Sequence, residues 1–433
     1  MIQQVNYPEK SAWPQLLARP EKEDPAKLKR QVADILKNVK KKGDAAISRY
    51  NRMFDGSSPD AMEVTQQEID TAATMVDDRL KLAIDKAIHN IMAFHITQSE
   101  KQSYVQTMPG VTCWRRSVGI EKVGLYIPGG TAPLFSTLLM LAIPANIAGC
   151  KEIVVCTPPS KKGTVHPAIL YAASRVGVHR IFKTGGAQAI AGMAYGTESI
   201  PQVYKIFGPG NTYVTTAKML LAAEGVAIDM PAGPSELAVL ADDSCDPAYV
   251  AADLLSQAEH GTDSQVILVT DSAAVIEAVN KALKQQLALL PRKDIAAQAL
   301  KHSKAILVRS ADEGMQLLNT YAPEHLVIAC SNADALAAKV INAGSVFIGN
   351  YAPESAGDYA SGTNHTLPTN GHARAFGGVS LDSFVKKITF QKLTREGLEN
   401  IADTVWTMAM AEGLQAHANA VSIRLKDLVH EKI

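Results

Sequence analysis

The chain has 433 residues, which is too many for a single hydrophobic core and favours two to four domains. Apolar residues make up 47% of it and charged residues 20%, as in a folded water-soluble protein. The 43 basic and 43 acidic residues balance and no long basic run occurs, so the sequence lacks the electrostatic footprint of a nucleic-acid-binding protein. The N-terminus has no basic segment followed by an apolar one, and the longest apolar stretch, 134–149, is too short to cross a bilayer. We expect a cytoplasmic protein with no membrane partner.

Residues 1–110 are the most polar part of the chain and are predicted to form a mainly helical region. The predicted helices are Pro25–Asn38, Gly43–Phe54 and a long one from about Thr65 to Ser99. In the first of them, apolar residues recur at helical spacing with lysines and arginines between them. Such segments more often support a fold than carry its chemistry.

From about Gly119 onward, short apolar runs alternate with turns rich in glycine or proline and with helical stretches. The predicted strands up to residue 232 are Val123–Ile127, Glu152–Cys156, Val178–Lys183 and Lys205–Phe207. Strands that alternate with helices indicate βαβ units and a mostly parallel sheet. We therefore predict an α/β domain over residues 111–232.

The same alternation restarts after residue 232. Its predicted strands are Glu236–Leu240, Gln265–Thr270, Ala305–Val308, Leu326–Ala329 and Ser345–Ile348. The fold class is thus α/β, with two Rossmann-like parallel-sheet domains, 111–232 and 233–380, whose similar make-up suggests a duplication. Residues 381–433 are predicted to form a helical tail that breaks near Gly413.

The five cysteines are odd in number and form no C-x-x-C pair, so neither a disulfide framework nor a zinc ribbon is indicated. Cys156 lies within an apolar run and is predicted to be buried in a strand.

Three glycine clusters, Gly129–Gly130, Gly185–Gly186 and 208–210, each follow a predicted strand. Glycines there permit tight turns and a close approach of the backbone to phosphate at a helix N-terminus. None of the clusters is the G-x-G-x-x-G fingerprint. Dinucleotide binding and turns without a ligand therefore both remain open.

The helix Pro247–His260 is well delimited, and Asp246 can cap its start. Gln257 and His260 are three residues apart and share one face of its last turn. A neutral imidazole is a common zinc ligand, although general coordination chemistry ranks Glu259 above Gln257 as its companion. An exposed helix end with a histidine that suits the helix dipole explains the same residues.

Glu324 and His325 lie just before a predicted strand. An adjacent carboxylate and imidazole suit general acid–base chemistry, because partial burial brings both pKa values toward neutrality. Taken alone, the pair also fits a surface turn.

Residues 350–378 form a long stretch without apolar periodicity inside the second α/β region. A long loop in a compact domain usually carries function or is disordered. It holds Asp358, His365 and His372, so ligands for a metal or a substrate can come from it.

Glu412 and His417 lie five residues apart in the C-terminal region. A regular helix would turn them away from each other, but a break at Gly413 can bring both to one pocket. A solvated amphipathic helix also explains them.

Taken together, these segments resemble the histidinol dehydrogenases over essentially the whole chain. The resemblance is carried by motifs that follow one another in one order: Val-Gly-Leu-Tyr-Ile-Pro-Gly-Gly (123–130), Thr-Gly-Gly-Ala-Gln-Ala-Ile (184–190), Phe-Gly-Pro-Gly-Asn (207–211), Asp-Met-Pro-Ala-Gly-Pro-Ser-Glu (229–236), Leu-Ser-Gln-Ala-Glu-His-Gly (255–261), Tyr-Ala-Pro-Glu-His-Leu (321–326) and Ser-Ala-Gly-Asp-Tyr (355–359).

The resemblance implies an enzyme with one zinc ion per subunit and with NAD. By motif, the implied zinc ligands are Gln257, His260, Asp358 and His417, and the implied catalytic pair is Glu324 and His325. The implied substrate contacts are Ser235, His325, Glu412 and the four zinc ligands. The implied cofactor contacts are Tyr126, Gln188 and Asn211. A homodimer is also implied, in which the C-terminal helices lend Glu412 and His417 to the partner's site.

The implied reaction is the four-electron oxidation of histidinol, through histidinal, to histidine, with two NAD reduced per turnover. In this scheme His325 takes the alcohol proton in the first oxidation. Glu324 then activates the water that hydrates the aldehyde, and His325 acts again as the base. Zinc mainly positions the substrate through its amine and imidazole nitrogens.

Three other functions remain open from the sequence. One is a related zinc- and NAD-dependent dehydrogenase of another polar alcohol, although the match at Ser235, Glu412 and His417 favours histidinol. Another is a zinc hydrolase in which Glu324 acts with a metal-bound water. The third, a non-catalytic metabolite-binding protein, is disfavoured because every implied catalytic position is filled.

Overall fold

The computed structural model describes residues 2–20, 24–57, 59, 61–129 and 133–430. Gly130 of the first glycine cluster lies outside the described residues. The chain forms two compact units: the larger combines Met1–Gln98 with Ile120–Phe384, and the smaller combines Ser99–Gly119 with Val385–Ile433. The domain boundaries expected from the sequence, after residues 110, 232 and 380, stay a prediction.

Strands and helices alternate through most of the larger unit. In chain order, the strands are β1 (Gln3–Asn6), β2 (Tyr104–Met108), β3 (Val111–Gly119), β4 (Lys122–Tyr126), β5 (Glu152–Thr157), β6 (Arg180–Lys183), β7 (Lys205–Phe207), β8 (Ala227–Ile228), β9 (Glu236–Ala241), β10 (Gln265–Thr270), β11 (Lys304–Leu307), β12 (His325–Ala329), β13 (Ser345–Ile348) and β14 (Val385–Leu393). The α-helices are α1 (Trp13–Leu16), α2 (Pro25–Phe54), α3 (Gln66–Met75), α4 (Asp78–Ile96), α5 (Phe135–Ile147), α6 (Pro167–Arg175), α7 (Gly186–Tyr195), α8 (Thr212–Ala223), α9 (Pro247–Ala258), α10 (Ala273–Leu287), α11 (Lys293–Ala299), α12 (Ala311–Tyr321), α13 (Ala333–Ala337), α14 (Glu354–Tyr359), α15 (Arg395–Ala411) and α16 (Gln415–His430). Among the described residues, none of these helices combines the length and the apolar character that a membrane span requires.

The first parallel sheet has the strand order β6-β5-β4-β7-β8. All of its neighbouring strands pair in parallel. Counted from β4, this order is 3-2-1-4-5, which is the arrangement of a Rossmann dinucleotide-binding fold. The strand order reverses between β4 and β7, and ligands of such sheets bind in the crevice at the carboxyl ends of those strands.

The second parallel sheet has the order β1-β11-β10-β9-β12-β13. Its neighbours are again parallel throughout. Counted from β9, five of its strands repeat the order 3-2-1-4-5, and β1 from the N-terminus adds an outer edge beside β11. The two sheets thus share one topology. The predicted α/β fold with two Rossmann-like sheets is confirmed.

The central strands of each parallel sheet are buried on both faces. In β9, Leu237 and Val239 belong to one apolar cluster, whereas Ala238 and Leu240 point the other way into a second cluster. Strands covered on both faces are continuous apolar runs rather than alternating ones. This is the pattern from which the sequence analysis predicted them.

The helices of the N-terminal region agree only in part with those predicted. A non-helical kink at Gly43 (φ 50°, ψ −132°) divides α2, so the break expected there between two helices is present, although the first helix continues beyond Asn38. α3 and α4 replace the single helix predicted from about residue 65 to 99. Asp77 starts α4 by accepting a hydrogen bond from the N–H of Leu80 at 3.0 Å. Apolar periodicity alone does not reveal such an internal cap.

The smaller unit contains an antiparallel sheet that the sequence analysis missed. Its strand order is β14-β3-β2, and β14 pairs with β3 along its whole length. The sequence predicted that a helical tail begins here. Because β14 is largely exposed, it lacks the continuous apolar run by which a buried strand is recognised in a sequence. The predicted break near Gly413 is confirmed, since its φ of 75° separates α15 from α16.

The loop after β7 has no room for a side chain at Gly208. Its φ is 124°, and an added Cβ would lie 2.1 Å from the carbonyl oxygen of Tyr126. The N–H of Gly208 donates to Asp229 (2.8 Å), and its carbonyl accepts from the buried Lys218 (2.9 Å). Lys218 and Asp229 also form an ion pair with each other. The loop is therefore held tightly at the crevice of the first sheet.

We expect Gly208→Ala to lower the free energy of unfolding by about 3 kcal/mol or more, because the methyl group adds a strained φ and forces the backbone apart. Gly149→Ala is the matched control. Gly149 has φ 78°, but its added Cβ meets no described atom within 4 Å, so the loss should stay near ~1–2 kcal/mol. Urea denaturation of both variants measures the difference, and equal losses would contradict the steric argument.

Candidate active site

Glu324 and His325 lie at the amino end of β12, next to the amino end of the neighbouring strand β9 in the second sheet. β9 begins at Glu236 and β12 at His325, and the two strands pair in parallel with His325 opposite Leu237. α12 is followed by Ala322, whose left-handed conformation (φ 55°) ends the helix and turns the chain just before the pair. This turn brings Glu324 to the edge of the sheet next to β9.

The pair is buried and is held by the main chain of Glu236. The N–H of Glu236 donates to Glu324 Oε2 at 2.9 Å, and its carbonyl oxygen lies 3.2 Å from His325 Nδ1. The two side chains are also close to each other, with 3.7 Å between His325 Nδ1 and Glu324 Oε2. Glu324 is 7% exposed and His325 is 3% exposed, so the pair is not a solvated surface turn.

Burial and charge move the pKa values of both groups. Loss of water around Glu324 raises its pKa to about 8, against the opposing attraction of His325. Burial alone would lower the pKa of His325, but the carboxylates of Glu324, Asp358 and Glu354 outweigh it and raise that pKa to about 10. A cation bound among these carboxylates would cancel part of their field and lower the His325 pKa toward neutrality.

Gln257 and His260 reach this pair from the end of α9. The amide Nε2 of Gln257 is 3.4 Å from Glu324 Oε2, whereas its Oε1 is buried without a hydrogen-bond partner among the described residues. The Nδ1 of His260 is 3.4 Å from the hydroxyl of Ser235. Loss of water around the imidazole of His260 lowers its pKa, which favours the neutral form that binds a metal.

Asp358 lies on the short helix α14, inside the stretch that was predicted as a loop. Its Oδ1 is 3.7 Å from His325 Nε2 and 3.9 Å from His365 Nδ1. Burial opposes the ionisation of Asp358, but the neighbouring histidines outweigh it and lower its pKa to about 2. Asp358 is therefore an anion, the form in which a carboxylate binds a cation.

Glu354, which the sequence analysis did not single out, lies one turn before Asp358 on α14. Its buried Oε1 is 3.9 Å from His325 Nε2 and has no hydrogen-bond partner in the described part of the chain, and its Oε2 accepts from Ser256 at 2.8 Å. Burial raises the pKa of Glu354 to about 8. Ligand atoms of His325, Glu354 and Asp358 all lie within 4.8 Å of one another, and this triad shares only Asp358 with the predicted ligand set. The i, i+4 spacing from Asp358 is the signal that could have found Glu354.

The two histidines of the 350–378 stretch differ in their positions. His365 Nδ1 lies 2.9 Å from the carbonyl oxygen of Asp358, and its Nε2 lies 3.1 Å from the hydroxyl of Thr137. Thr137 belongs to α5, a helix associated with the first sheet, so both α/β halves meet at the site. His372 packs edge-on against Phe376 instead.

Glu412 and His417 belong to the smaller unit. Glu412 directly follows α15, His417 lies in the first turn of α16, and both are exposed. The larger unit therefore supplies Gln257, His260 and Asp358, whereas the fourth predicted ligand comes from a different unit. The assignment of all four as ligands stays a prediction.

The three predicted cofactor contacts, Tyr126, Gln188 and Asn211, line one cavity of about 790 Å³. Tyr126 ends β4, and its hydroxyl accepts from the N–H of Gly186, the first residue of α7, at 3.1 Å. Asn211 caps the start of α8 with its side-chain oxygen. Two helices therefore begin at this cavity, at the edge of the first sheet where the strand order reverses, which suits a dinucleotide.

Two buried oxygens at this cavity have no hydrogen-bond partner among the described residues, Gln188 Oε1 and Asp55 Oδ2. The amide of Gln188 is oriented by Asn51, whose Oδ1 lies 3.3 Å from its Nε2. Burial raises the pKa of Asp55 to about 6. Unpartnered buried acceptors call for a ligand or water, and Asp55, just past the end of α2, offered no local signal for this role.

Comparison with known proteins bears on the family. The profile of the family described as histidinol dehydrogenase matches residues 18–425. A histidinol dehydrogenase of Bacteroides thetaiotaomicron is 57% identical over 428 residues, covering 99% of this chain and 100% of the relative. The chain belongs to the histidinol dehydrogenase family.

Other members of the family agree in sequence and in structure. A histidinol dehydrogenase of Xylella fastidiosa is 50% identical, covering 97% of this chain and 98% of the relative. The crystal structure of histidinol dehydrogenase from Elizabethkingia anophelis superposes with a TM-score of 0.96 at 50% identity, covering 99% of this chain and 98% of that one. The resemblance stated from the sequence motifs is confirmed, and with it the prediction that the chain is an oxidoreductase.

Proposed function

We propose that this chain oxidises L-histidinol through L-histidinal to L-histidine, the last steps of histidine biosynthesis, with one zinc ion per subunit and NAD. The observation that carries the proposal is the buried Glu324–His325 pair beside Gln257, His260 and Asp358, which are side chains of the kind that can bind a metal. Family membership supports the substrate, because similar relatives are named for histidinol.

The chemistry of the donor set fits zinc. Gln257 offers a buried oxygen without a partner, Asp358 is an anion and His260 is neutral. With His417, these residues make a four-coordinate set of two imidazoles and two oxygens. Bound there, zinc would mainly position the amine and imidazole nitrogens of the substrate and secondarily supply electrostatic stabilisation.

The cavity lined by Tyr126, Gln188 and Asn211 fits NAD. Its volume is within the range of cofactor sites, and Gln188 contributes an unpartnered acceptor inside it. Gly129 also lines it, and a side chain there would meet the ring of Pro158 at 2.4 Å. NAD bound there would accept one hydride in each of the two oxidations.

We assign His325 to proton transfer in both oxidations. Its Nδ1 lies next to the carbonyl of Glu236, so the neutral ring carries its proton on Nδ1 and its lone pair on Nε2. Nε2 takes the hydroxyl proton of the alcohol in the first oxidation and that of the hydrated aldehyde in the second. A zinc ion held by Asp358 would lower the pKa of His325 from about 10 toward the range in which a base works best.

We assign Glu324 to the water of the second oxidation. Its pKa of about 8 makes its carboxylate a stronger base than an exposed glutamate. Both hydrogen bonds that it accepts from described residues end on Oε2, so we assign Oε1 to the water that adds to the aldehyde. The resulting hydrate is the species that loses the second hydride.

The proposal includes a homodimer with shared sites. Glu412 and His417 are exposed on either side of the Gly413 break, which supports their donation to another chain. There, His417 would complete the zinc ligands, and Glu412 would favour the protonated or hydrogen-bonded substrate imidazole. Ser235, whose hydroxyl is near His260, is assigned a further substrate contact. A cytoplasmic location remains the prediction made from the sequence.

The ratio of NADH formed to histidinol consumed tests the proposal directly. We expect a ratio of two, because both oxidations take place in one site. Absorbance of the reduced cofactor and chromatography of histidinol and histidine give the two quantities. A ratio of one contradicts the four-electron reaction, and turnover without nicotinamide would instead support a zinc hydrolase.

Glu324→Gln should separate the two oxidations. We expect it to keep most of the rate of histidinol oxidation and to lose histidinal oxidation by about 10²- to 10⁴-fold, since only the second step needs an activated water. Single-turnover measurements started from each substrate give the two rates. His325→Asn is the comparison and should slow both steps. An equal loss of both steps in Glu324→Gln would contradict this division.

Metal content distinguishes the two candidate ligand sets. We expect Asp358→Asn and His417→Asn to lose zinc on dialysis, and Glu354→Gln to keep it, because Glu354 lies outside the proposed set. Elemental analysis of the dialysed proteins gives zinc per chain. Zinc lost from Glu354→Gln but kept by His417→Asn would assign the metal to His325, Glu354 and Asp358.

A further inference from the structure

We propose that Arg19 and Glu236 form a positioning pair that holds the main chain supporting Glu324 and His325. This inference rests on the proposed function, because it takes that pair as the catalytic groups. Arg19 follows α1 in the N-terminal segment and is 217 residues away from Glu236 in sequence. Neither residue touches the reacting atoms in this proposal, so neither is a catalytic residue.

Arg19 binds the carboxylate of Glu236 through two nitrogens of its guanidinium group. Nε lies 2.6 Å from Glu236 Oε1, and Nη2 lies 2.8 Å from Oε2. The carboxylate is 2% exposed and the arginine side chain 17%, so the pair is shielded from water and salt. The N–H of Asn370, in the 350–378 stretch, donates a third bond to Oε1 at 2.7 Å. A bidentate, charge-assisted pair of this kind fixes orientation as well as position.

The main chain of Glu236 supports both catalytic candidates. Its N–H donates to the carboxylate of Glu324, and its carbonyl oxygen faces the imidazole of His325. Glu236 is the first residue of β9, and the pairing with β12 starts only at Leu237. Glu236 is also paired with Gln265 of β10, so its N–H and its carbonyl link the sheet to the side chains of the site. Movement of Glu236 would move both side chains together.

Arg19 also restrains the turn that leads into Glu324. Its Nη2 donates to the carbonyl of Tyr321 at 2.8 Å, and its guanidinium lies 4.2 Å from the centre of the Tyr321 ring. The Tyr321 hydroxyl in turn donates to Gln265, whose amide holds the carbonyl of Ala18. Arg19 thus connects the start of β9 with the segment that precedes β12 through buried contacts.

The positioning role of Arg19 and Glu236 is separate from substrate binding, because it does not need the exposed face of the site. The cavity assigned to NAD lies at the carboxyl edge of the first sheet and is not lined by Arg19 or Glu236. Loss of positioning should therefore lower kcat and leave the KM for NAD unchanged. A purely structural role would instead lower the melting temperature and the fraction of active chains, while the kcat of each active chain stays the same.

Arg19→Ala and Arg19→Lys test the inference on the intact zinc-loaded enzyme. We expect Arg19→Ala to lower the kcat of both oxidations by on the order of 10- to 100-fold per zinc-containing chain, with KM for NAD within about twofold of the unchanged protein. Arg19→Lys keeps the charge but loses the fork, so its kcat should fall in between. Low concentrations of guanidinium chloride should partly restore the kcat of Arg19→Ala, with sodium chloride at the same ionic strength as the control.

Arg175→Ala is the control variant, because it removes an exposed ion pair with Asp85 outside the site. A folded Arg19→Ala protein with the kcat of the unchanged enzyme overturns the inference. If Arg19→Ala does not fold, Arg19→Lys decides, and an unchanged kcat in that variant overturns it. Failure of the proposed function is recognised separately: unchanged enzyme that does not oxidise histidinol, or His325→Asn with full activity, overturns both proposals.

Discussion

The parallel pairing of β9 with β12 is the interaction on which the candidate active site depends. It sets the first residue of one strand, Glu236, beside the first residue of the other, His325, at the same edge of the sheet. The register is fixed because residues on both faces of β9 are buried, and a slip by one residue would exchange the two faces. The buried sheet thereby fixes the distance between side chains that are far apart in the sequence.

The ionisable groups at this edge carry more negative than positive charge. Glu324, Glu354 and Asp358 surround one imidazole, His325, in a region from which water is largely excluded. Unbalanced buried charge is costly unless a counter-ion or protons neutralise it. Protons can neutralise this charge, as the raised pKa values of Glu324 and Glu354 indicate. A bound divalent cation would neutralise it in the other way. The raised pKa values and the proposed metal site therefore have the same cause, which is the excess of buried negative charge.

Much of the fold follows from local sequence patterns, and much of the site does not. The bounds of β10 match the prediction because a continuous apolar run between turns is typical of a strand buried on both faces. β14 has no such run and was missed. The positions of Glu324, Asp358 and Gln257 in one region, by contrast, depend on sheet topology, and their roles were assigned by resemblance to a family and not from spacing.

The residues that surround and support the candidate active site were the hardest to predict from the sequence. Nothing in the sequence near Arg19 indicates a partner 217 residues away, because the pairing exists only after the N-terminal segment has packed against the second sheet. Glu354 could have been found from its helical spacing to Asp358, but only once α14 was recognised within a stretch that lacks apolar periodicity. Short polar helices and long-range ion pairs leave little trace in a single sequence.

The two sheets share one topology but present their candidate sites at opposite edges. The first sheet has its candidate ligand cavity at the carboxyl edge, whereas the second has the side chains of the candidate active site at the amino edge. At the carboxyl edge of β9 and β12, Asp242 instead accepts hydrogen bonds from the N–H and the hydroxyl of Ser331, so the chain's own groups satisfy each other there. The same strand order can therefore carry a site at either edge, depending on which edge the connecting segments leave open.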